Sequence, residues 1–206
     1  MKNIILASQS PRRSEILRKA NYDFVLIPTH VSEIPNKNLK TNDQIIEIAG
    51  RKAKACLAHL LDIGPEGAGI PLESGLILAA DTMVCFENQI LGKPESHELA
   101  FQYLKWMSGK THQVKTAVFL INIALNEEVS LIETTDVEFK NLSDEEILAY
   151  IATGEPMDKA GAYAIQGLGK KFVLNYNGDF NNVVGLPLHA LEKLFKIKKW
   201  NCKRIA

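Results

Sequence analysis

Two repeats in the positions of apolar residues predict the secondary structure of this chain. Apolar or β-branched runs predict strands over residues 4–7, 22–27, 76–80 with a continuation at 84–86, 111–123, 129–139 and 172–176. Apolar residues spaced three and four apart predict helices over residues 41–61 and 97–107, and further helices that begin at Pro11, Ser143 and Pro187. Strands and helices are therefore mixed along the whole chain.

Turn-forming residues mark the connections between these elements. Residues 64–71, rich in glycine and proline, predict a surface loop, and residues 87–89 predict a turn. Residues 124–128 connect two long strands, which predicts an antiparallel hairpin. The patterns Thr41-x-x-Gln44 and Ser143-x-x-Glu146 both fit a capping box at the start of a helix.

Residues 8–13 follow the first predicted strand and open the first predicted helix. Ser10 stands at the N-cap position, before a proline that suits the first helical turn. Arg12 and Arg13 then lie where cations face the positive end of the helix dipole. A bound phosphate would make this arrangement favourable, because it would accept hydrogen bonds from the N–H groups, the serine hydroxyls and both guanidinium groups. The alternative is that both arginines are solvated and pair with nearby carboxylates such as Glu15.

Three further charged residues stand beside apolar runs. Lys52 lies near the apolar side of its helix, so its ammonium group either reaches the edge of the core or points into a cleft. Asp81 and Thr82 end the apolar run 76–80, where an acid either caps local N–H groups or lies in a ligand cleft. Lys93, between Gly92 and a proline, either reaches a ligand or belongs to the ordinary surface.

Composition and charge limit the class of protein. Lys plus Arg and Asp plus Glu number 24 each, so the formal net charge is zero, which argues against a general nucleic-acid binder. Cys56, Cys85 and Cys202 are far apart and form no C-x-x-C motif, so we expect free thiols in a reducing cytoplasm. No apolar run approaches the length of a membrane span or a signal sequence, so we expect no membrane association.

The motifs of several hydrolase and nucleotide-binding classes are absent. The sequence contains no G-x-S-x-G, S-x-x-K, H-E-x-x-H or Walker A pattern, and no G-x-G-x-x-G after a strand. What remains is a set of scattered cations with a few carboxylates. Such a set suits a hard divalent metal and a polyphosphate.

Eight short motifs occur in order along nearly the whole length of the chain. They are Leu6-Ala7-Ser8-x-Ser10-Pro11-Arg12-Arg13, Ala80-Asp81-Thr82, Ile90-Leu91-Gly92-Lys93-Pro94, Ser108-Gly109-Lys110-Thr111-His112, Thr153-Gly154-Glu155-Pro156, Asp158-Lys159-Ala160-Gly161-Ala162-Tyr163, Ile165-Gln166-Gly167-Leu168-Gly169 and Asn182-Val183-Val184-Gly185-Leu186-Pro187. With these motifs the chain resembles the Maf family of nucleoside triphosphate pyrophosphatases.

The resemblance implies one Maf-like domain over residues 1–206 with an α/β fold. Its mixed, twisted sheet would form two lobes around a deep cleft, similar to that of inosine triphosphate pyrophosphatases. It also implies a nucleoside triphosphate diphosphatase, which hydrolyses its substrate to the monophosphate and pyrophosphate with Mg²⁺ or Mn²⁺. A homodimer is a further expectation from the resemblance. Arg12, Thr82 and Gln166 resemble the subfamily that prefers dTTP and UTP, whose members also accept some modified pyrimidine nucleotides.

With this resemblance, we expect water to attack the α-phosphorus while Asp81 acts as the general base. Glu33 and Asp81 are the candidate metal ligands. The expected substrate-binding residues, which would neutralise phosphate charge, are Ser8, Arg12, Arg13, Lys52 and Lys93. The Gln166 amide can donate to and accept from a pyrimidine edge, whereas a glutamate only accepts.

Three positions depart from the family pattern. Gln9 and Ala164 stand where glycine is common, and Ser32 replaces a frequent aspartate before Glu33. An alternative function is a non-catalytic nucleotide-binding regulator of septum formation or cell shape. A pure binder would not need Asp81 for its affinity for the triphosphate. Calorimetry that compares Asp81→Asn with the wild type therefore separates the two functions.

Overall fold

The structure is a computed structural model, and it describes residues 1–69, 71–87 and 89–205. The strands are β1 (Asn3–Leu6), β2 (Phe24–Leu26), β3 (Gly75–Phe86), β4 (Gln89–Leu91), β5 (Thr111–Asn122), β6 (Glu127–Phe139) and β7 (Val173–Asn177). The helices are α1 (Pro11–Lys19), α2 (Thr41–Ala68), α3 (His97–Met107), α4 (Asp144–Ile151), α5 (Phe180–Val184) and α6 (Leu188–Lys198). Short 3-10 helices include Glu155–Asp158, Ala160–Ala162 and Leu168–Phe172.

In the residues that the structure describes, seven strands form one mixed sheet, as the resemblance implied. Its order is β2-β1-β3-β5-β6-β7, and β4 pairs with β3. β1 is parallel to both β2 and β3, with Leu6 beside Leu26 and Leu78. β3 and β4 are antiparallel, and so are β6 and β7.

The chain divides into two compact units. Unit 1 comprises Met1–Asp81, Ala117–Ile132 and Gly185–Ala206, and unit 2 comprises Thr82–Thr116 and Glu133–Val184. The single domain expected over residues 1–206 stays a prediction.

The core of unit 1 lies between helix α2 and strands β1 and β3. Ala53, Cys56 and Leu60 recur at helical spacing on α2, and they pack in one buried cluster with Ile77 and Ala79 of β3. Ile77 and Ala79 lie two residues apart and therefore share one face of the strand. This packing fixes both the rotation of α2 and the face of β3 that it covers.

The core of unit 2 contains a group of aromatic rings around β6. The Phe139 ring packs edge to face against the rings of His112, Tyr163 and Phe172, and Tyr150 packs against Phe172 in the same way. Tyr150 belongs to α4, whose predicted capping box is confirmed. Such a rigid base can hold the neighbouring loops in place.

Two predicted boundaries differ from the structure. α2 does not end near residue 61 but continues to Ala68, although Gly64 leaves helical geometry with φ 69° and ψ 177°. Gly64 is therefore a kink between the long helix and a short helical stretch in the predicted loop 64–71, of which Ile70 lies outside the described residues. The turn predicted at residues 87–89 includes Asn88, which also lies outside them.

All three cysteines are free thiols, as predicted. Within the described ranges, no helix combines the length and apolar composition that a membrane span needs.

Candidate active site

Lys52 and Asp81 are brought together by the packing of α2 on β3. Asp81 is the next residue after Ala79 on the covered face of the strand. Lys52 lies one helical turn before Cys56, on the face of α2 that packs against strand β3. The Lys52 Nζ lies 2.6 Å from the Asp81 Oδ1, and both side chains are buried, with 9% and 10% of their surface exposed. Lys52 therefore points inward, and it does not reach out to solvent.

Asp81 does not stand at the end of a strand, contrary to the prediction. β3 runs without a break from Gly75 to Phe86, so Asp81 lies inside it. Its parallel partner β1 ends earlier, and the last backbone bond on that side is donated by the Ala7 N–H to the Leu78 carbonyl. Asp81 thus lies beyond the carboxyl end of the β1–β3 pair, which is where open α/β sheets bind ligands.

Glu33 is the second carboxylate beside the Lys52 ammonium group. Its Oε1 lies 2.7 Å from Lys52 Nζ, and its side chain is half exposed, at 49%. The loop that carries Glu33 is tied to α2, because Arg51 donates a hydrogen bond to the Ile34 carbonyl at 2.9 Å. Lys52 thus bridges one buried and one accessible carboxylate.

The surroundings of Asp81 change its proton affinity. Burial raises the pKa of Asp81 above its usual value, and the Glu33 charge acts in the same direction. Lys52 and Arg13 oppose this rise by stabilising the ionised form. A carboxylate with a raised pKa is a stronger base than an exposed aspartate, and its cationic partners still favour the ionised form that can accept a proton.

Residues 8–13 form the predicted connection from β1 to α1, but the cap differs. Ser10 occupies the N-cap position without a side-chain cap bond, and Pro11 is the first helical residue. The buried Ser8 hydroxyl instead accepts hydrogen bonds from the Ser10 N–H at 3.1 Å and from Arg13 Nη1 at 3.2 Å. Ser8 thus fixes the loop from within.

Arg12 and Arg13 have different surroundings. Arg13 is buried, and its Nε donates to the Gly185 carbonyl at 2.7 Å. Burial lowers the pKa of Arg13, while Asp81 and Glu33 raise it, so its guanidinium group lies in the field of both carboxylates. Arg12 is half-buried, and its Nε is a buried donor that no acceptor satisfies in the described part of the chain. Arg13 therefore has a structural anchor, whereas the Arg12 Nε has no hydrogen-bond partner among the described residues.

Gln9, the departure from the family pattern in this loop, joins two loops of unit 1. Its Nε2 donates to the Thr29 carbonyl at 3.1 Å and contacts the His30 ring at 3.0 Å from Nδ1. The side chain therefore connects the loop before α1 with the segment that leads to Glu33. Ser32, the other departure there, accepts a weak hydrogen bond from the Ile34 N–H at 3.4 Å.

Thr82, the first residue of unit 2, takes part in a hydrogen-bond chain. Its hydroxyl lies 2.9 Å from that of Thr116, which donates to the Asn182 carbonyl at 2.9 Å. Because Thr116 has a single hydroxyl hydrogen, Thr82 donates to Thr116. The buried Asn182 amide in turn donates to the Val114 carbonyl at 2.9 Å. Thr82 is thus held by a strand-to-strand network.

Lys93 and Gln166 are exposed residues on connections of unit 2. Lys93 follows β4, and Gln166 lies in a turn that the Gly167 N–H closes onto the Ala164 carbonyl at 3.2 Å. The Glu155 carboxylate accepts hydrogen bonds from the backbone of the same loop. The sequence patterns assigned no role to Glu155. The only signal for it was the pair of glycines that follow Gln166.

Comparison with known proteins identifies the family. Residues 3–197 match the family model described as Maf-like protein. The chain belongs to this family.

The Maf-like relatives match this chain over almost its full length. A dTTP/UTP pyrophosphatase of Bdellovibrio bacteriovorus is 51% identical over 191 residues, which cover 93% of this chain and 96% of that protein. Proteins of the same name from Thermococcus onnurineus and Caldicellulosiruptor saccharolyticus are 44% and 42% identical, and they cover 93% and 95% of this chain and 95% and 94% of their own lengths. A solved HAM1 protein from Coxiella burnetii shares the fold, with a TM-score of 0.50 and 13% identity over 98% of this chain and 100% of that one.

Glu33 and Asp81 are the carboxylates expected to bind a divalent metal, and their positions show whether they fit one. No group of three or more histidine, cysteine, aspartate or glutamate side chains converges in the residues that the structure describes. Glu33 and Asp81 do converge, because both lie within 2.7 Å of Lys52 Nζ. Mg²⁺ commonly uses one or two carboxylates and takes its remaining ligands from phosphate oxygens and water. The pair therefore fits a metal that arrives with a nucleotide.

Proposed function

We propose that this Maf-like protein hydrolyses dTTP and UTP to the monophosphate and pyrophosphate, with modified pyrimidine nucleotides as further substrates. The observation that carries this proposal is the buried Asp81, whose pKa is raised and which is paired with Lys52 at 2.6 Å. The dTTP/UTP pyrophosphatase relatives, at 42–51% identity, support the substrate class. Three free thiols fit a reducing compartment, so we place the reaction in the cytoplasm.

In the proposed reaction, Asp81 accepts a proton from a water molecule as the water oxygen bonds to the α-phosphorus. The bond between the α-phosphorus and the bridging oxygen breaks, and pyrophosphate leaves with that oxygen. Lys52 keeps Asp81 ionised before the reaction, because its charge favours the carboxylate over the protonated acid. Only an ionised Asp81 can take the proton.

Residues 8–13 form the proposed phosphate cradle. The unsatisfied Arg12 Nε and the N–H groups at the start of α1 are donors for phosphate oxygens. Arg13 adds a fixed positive charge, and Ser8 holds both the loop and that arginine. An anion at this position would offset the unfavourable interaction of two cations with the helix dipole, about 0.3–1 kcal/mol each. Lys93 is a further proposed ligand of the phosphates.

Glu33 and Asp81 would hold Mg²⁺ or Mn²⁺, which would neutralise charge on the phosphate oxygens when bound. We assign base selection to Arg12, Thr82 and Gln166. The Gln166 amide offers one donor and one acceptor type, which matches the edge of uracil or thymine.

A product assay tests the proposal. The protein is incubated with Mg²⁺ and each of the common nucleoside triphosphates, and the products are separated by chromatography. We expect pyrophosphate and monophosphate from UTP and dTTP first. Release of orthophosphate, or no turnover of any triphosphate, would contradict the proposal.

A binding assay separates an enzyme from a non-catalytic nucleotide binder. Calorimetry with a non-hydrolysable UTP analogue compares the wild type with Asp81→Asn. We expect Asp81→Asn to bind the analogue more weakly than the wild type, because a proposed metal ligand is lost, and to lose turnover. A pure binder would keep its affinity. If the wild type binds the analogue and never turns over UTP, the regulator function is favoured instead.

A further inference from the structure

The loop that carries Gln166 is held by one carboxylate. Glu155 Oε2 accepts a hydrogen bond from the Leu168 N–H at 2.9 Å, and Oε1 accepts one from the Gly169 N–H at 3.1 Å. The Tyr150 hydroxyl donates to the same Oε1 at 2.8 Å. Three donors therefore converge on Glu155, and two of them belong to the backbone just after Gln166.

Glu155 is itself fixed on the rigid part of unit 2. Its own N–H donates to the Thr153 hydroxyl at 3.2 Å, which donates to the Tyr150 carbonyl at 2.6 Å. The Tyr150 side chain is fully buried and packs edge to face on Phe172, with 4.9 Å between ring centroids. The Glu155 carboxylate thus anchors the exposed loop to helix α4.

Close packing around Glu155 and Tyr150 explains the two glycines of the loop. A Cβ added to Gly167 would overlap the carboxylate group of Glu155. A Cβ added to Gly169 would lie 2.8 Å from the Tyr150 hydroxyl and 3.1 Å from the Ala164 carbonyl oxygen. The backbone can approach Glu155 closely only because neither position has a side chain.

Glu155 holds the loop as an anion. Burial acts to raise its pKa, but the hydrogen bonds from Leu168, Gly169 and Tyr150, with the Lys159 charge, more than offset this, so the pKa lies below its usual value. A carboxylate accepts at both oxygens and is therefore suited to two backbone N–H groups and one hydroxyl. A glutamine at this position would present an amide NH₂ to one of these donors.

We propose that Glu155 is a positioning residue for base selection, because it sets where the Gln166 turn stands. This inference rests on the proposed function and deepens it. It makes pyrimidine preference depend on a residue that touches no base. Gln166 supplies the hydrogen bonds, and Glu155 fixes their direction.

The test measures kcat and KM with UTP, dTTP, CTP and GTP for the wild type, Glu155→Gln, Gln166→Ala and the double variant. For Glu155→Gln we expect kcat with UTP to stay within about twofold and KM to rise about tenfold, the size of a lost hydrogen bond to a charged group. The preference for UTP and dTTP over GTP should fall accordingly. The double variant should lose no more preference than Gln166→Ala alone, because both substitutions remove the same base contact.

Two further variants separate positioning from loss of structure. Glu145→Gln removes an equal charge from the exposed face of α4 and should change neither preference nor KM. Tyr150→Phe removes only the hydroxyl donor and should shift the preference in the same direction as Glu155→Gln, by a smaller factor. Thermal unfolding of each variant shows whether the fold is kept.

The outcomes distinguish this inference from the proposed function. An active, selective wild type whose preference survives Glu155→Gln contradicts the positioning role alone. Independent, multiplying losses in the double variant contradict it too, as does an equal loss for all four substrates. A wild type that releases no pyrophosphate from any substrate overturns the proposed function, and this inference with it.

Discussion

Lys52 and Asp81 form a buried ion pair, with 2.6 Å between Nζ and Oδ1. Burial of either charge alone is costly, and each one compensates the other. Lys52 also reaches Glu33, so one ammonium group holds two carboxylates. In our account this pair prepares Asp81 to accept a proton, and it comes directly from the packing of α2 on β3.

Replacement of Lys52 should therefore abolish most activity. We expect Lys52→Gln to lower kcat/KM with UTP by about 100-fold, because one preorganised charge in the site is lost. The free energy of unfolding should fall by up to about 3 kcal/mol, since Asp81 loses its closest buried partner. The matched control is Lys54→Gln on the same helix, an exposed lysine that should keep full activity. Full activity of Lys52→Gln would disprove the role of the pair.

Substitution of Arg13 should lower stability, whereas substitution of Arg12 should weaken substrate binding. Arg13→Gln should lower the free energy of unfolding by about 2 kcal/mol, because the Gly185 carbonyl and the Ser8 hydroxyl lose a buried donor. Arg12→Gln should leave the unfolding free energy nearly unchanged and should raise the KM for UTP about tenfold. Urea denaturation and steady-state kinetics on both variants check this. An unstable Arg12→Gln beside a stable Arg13→Gln would show that the roles are exchanged.

Gln166→Glu should change which base is accepted. The substitution replaces a donor with an acceptor while the shape of the side chain is kept. We expect kcat/KM for dTTP and UTP to fall by about tenfold or more, and values for GTP to fall less. An equal loss for every base would exclude a base-reading role for Gln166.

Burial of His112 should make stability depend on pH. Burial lowers the pKa of His112 from 6.5 to about 3. Between these values the unfolded chain binds a proton that the folded chain does not, so stability is present above pH 6.5 and is lost as the pH falls. The loss from this group is about 1.4 kcal/mol per pH unit at most.

Denaturant melts between pH 7 and 4 measure that loss. His112→Gln should give a shallower decline, because the glutamine does not titrate and can still bond to the Tyr163 hydroxyl. His59→Gln, which removes an exposed histidine, is the control variant. Equal slopes in all three proteins would show that His112 binds its proton equally well in the folded and unfolded states, which contradicts the lowered pKa.

Local patterns were sufficient for the elements and for several site residues. The helical spacing of Ala53, Cys56 and Leu60 placed Lys52 near the covered face of α2, and the structure confirms this. The capping box of α4 needs only the spacing from Ser143 to Glu146 and was also correctly predicted. These features depend on residues close together in the chain.

Features that depend on distant residues were not predictable in this way. β3 continues through Asp81, where an acid in an apolar run suggested an end to the strand. The contact of Gln9 with His30 joins loops twenty-one residues apart, and nothing in either sequence indicates it. Glu155 accepts hydrogen bonds from backbone N–H groups 13 and 14 residues further along the chain, a contact that the local sequence does not indicate.

The most direct test of the central claim is the position of water attack. UTP is hydrolysed in water enriched in oxygen-18, and the uridine monophosphate and pyrophosphate are separated and weighed by mass spectrometry. Our account predicts one labelled oxygen in the monophosphate and none in the pyrophosphate, with the label and turnover both lost in Asp81→Asn. Label in the pyrophosphate, or full turnover by Asp81→Asn, would contradict attack at the α-phosphorus with Asp81 as the base.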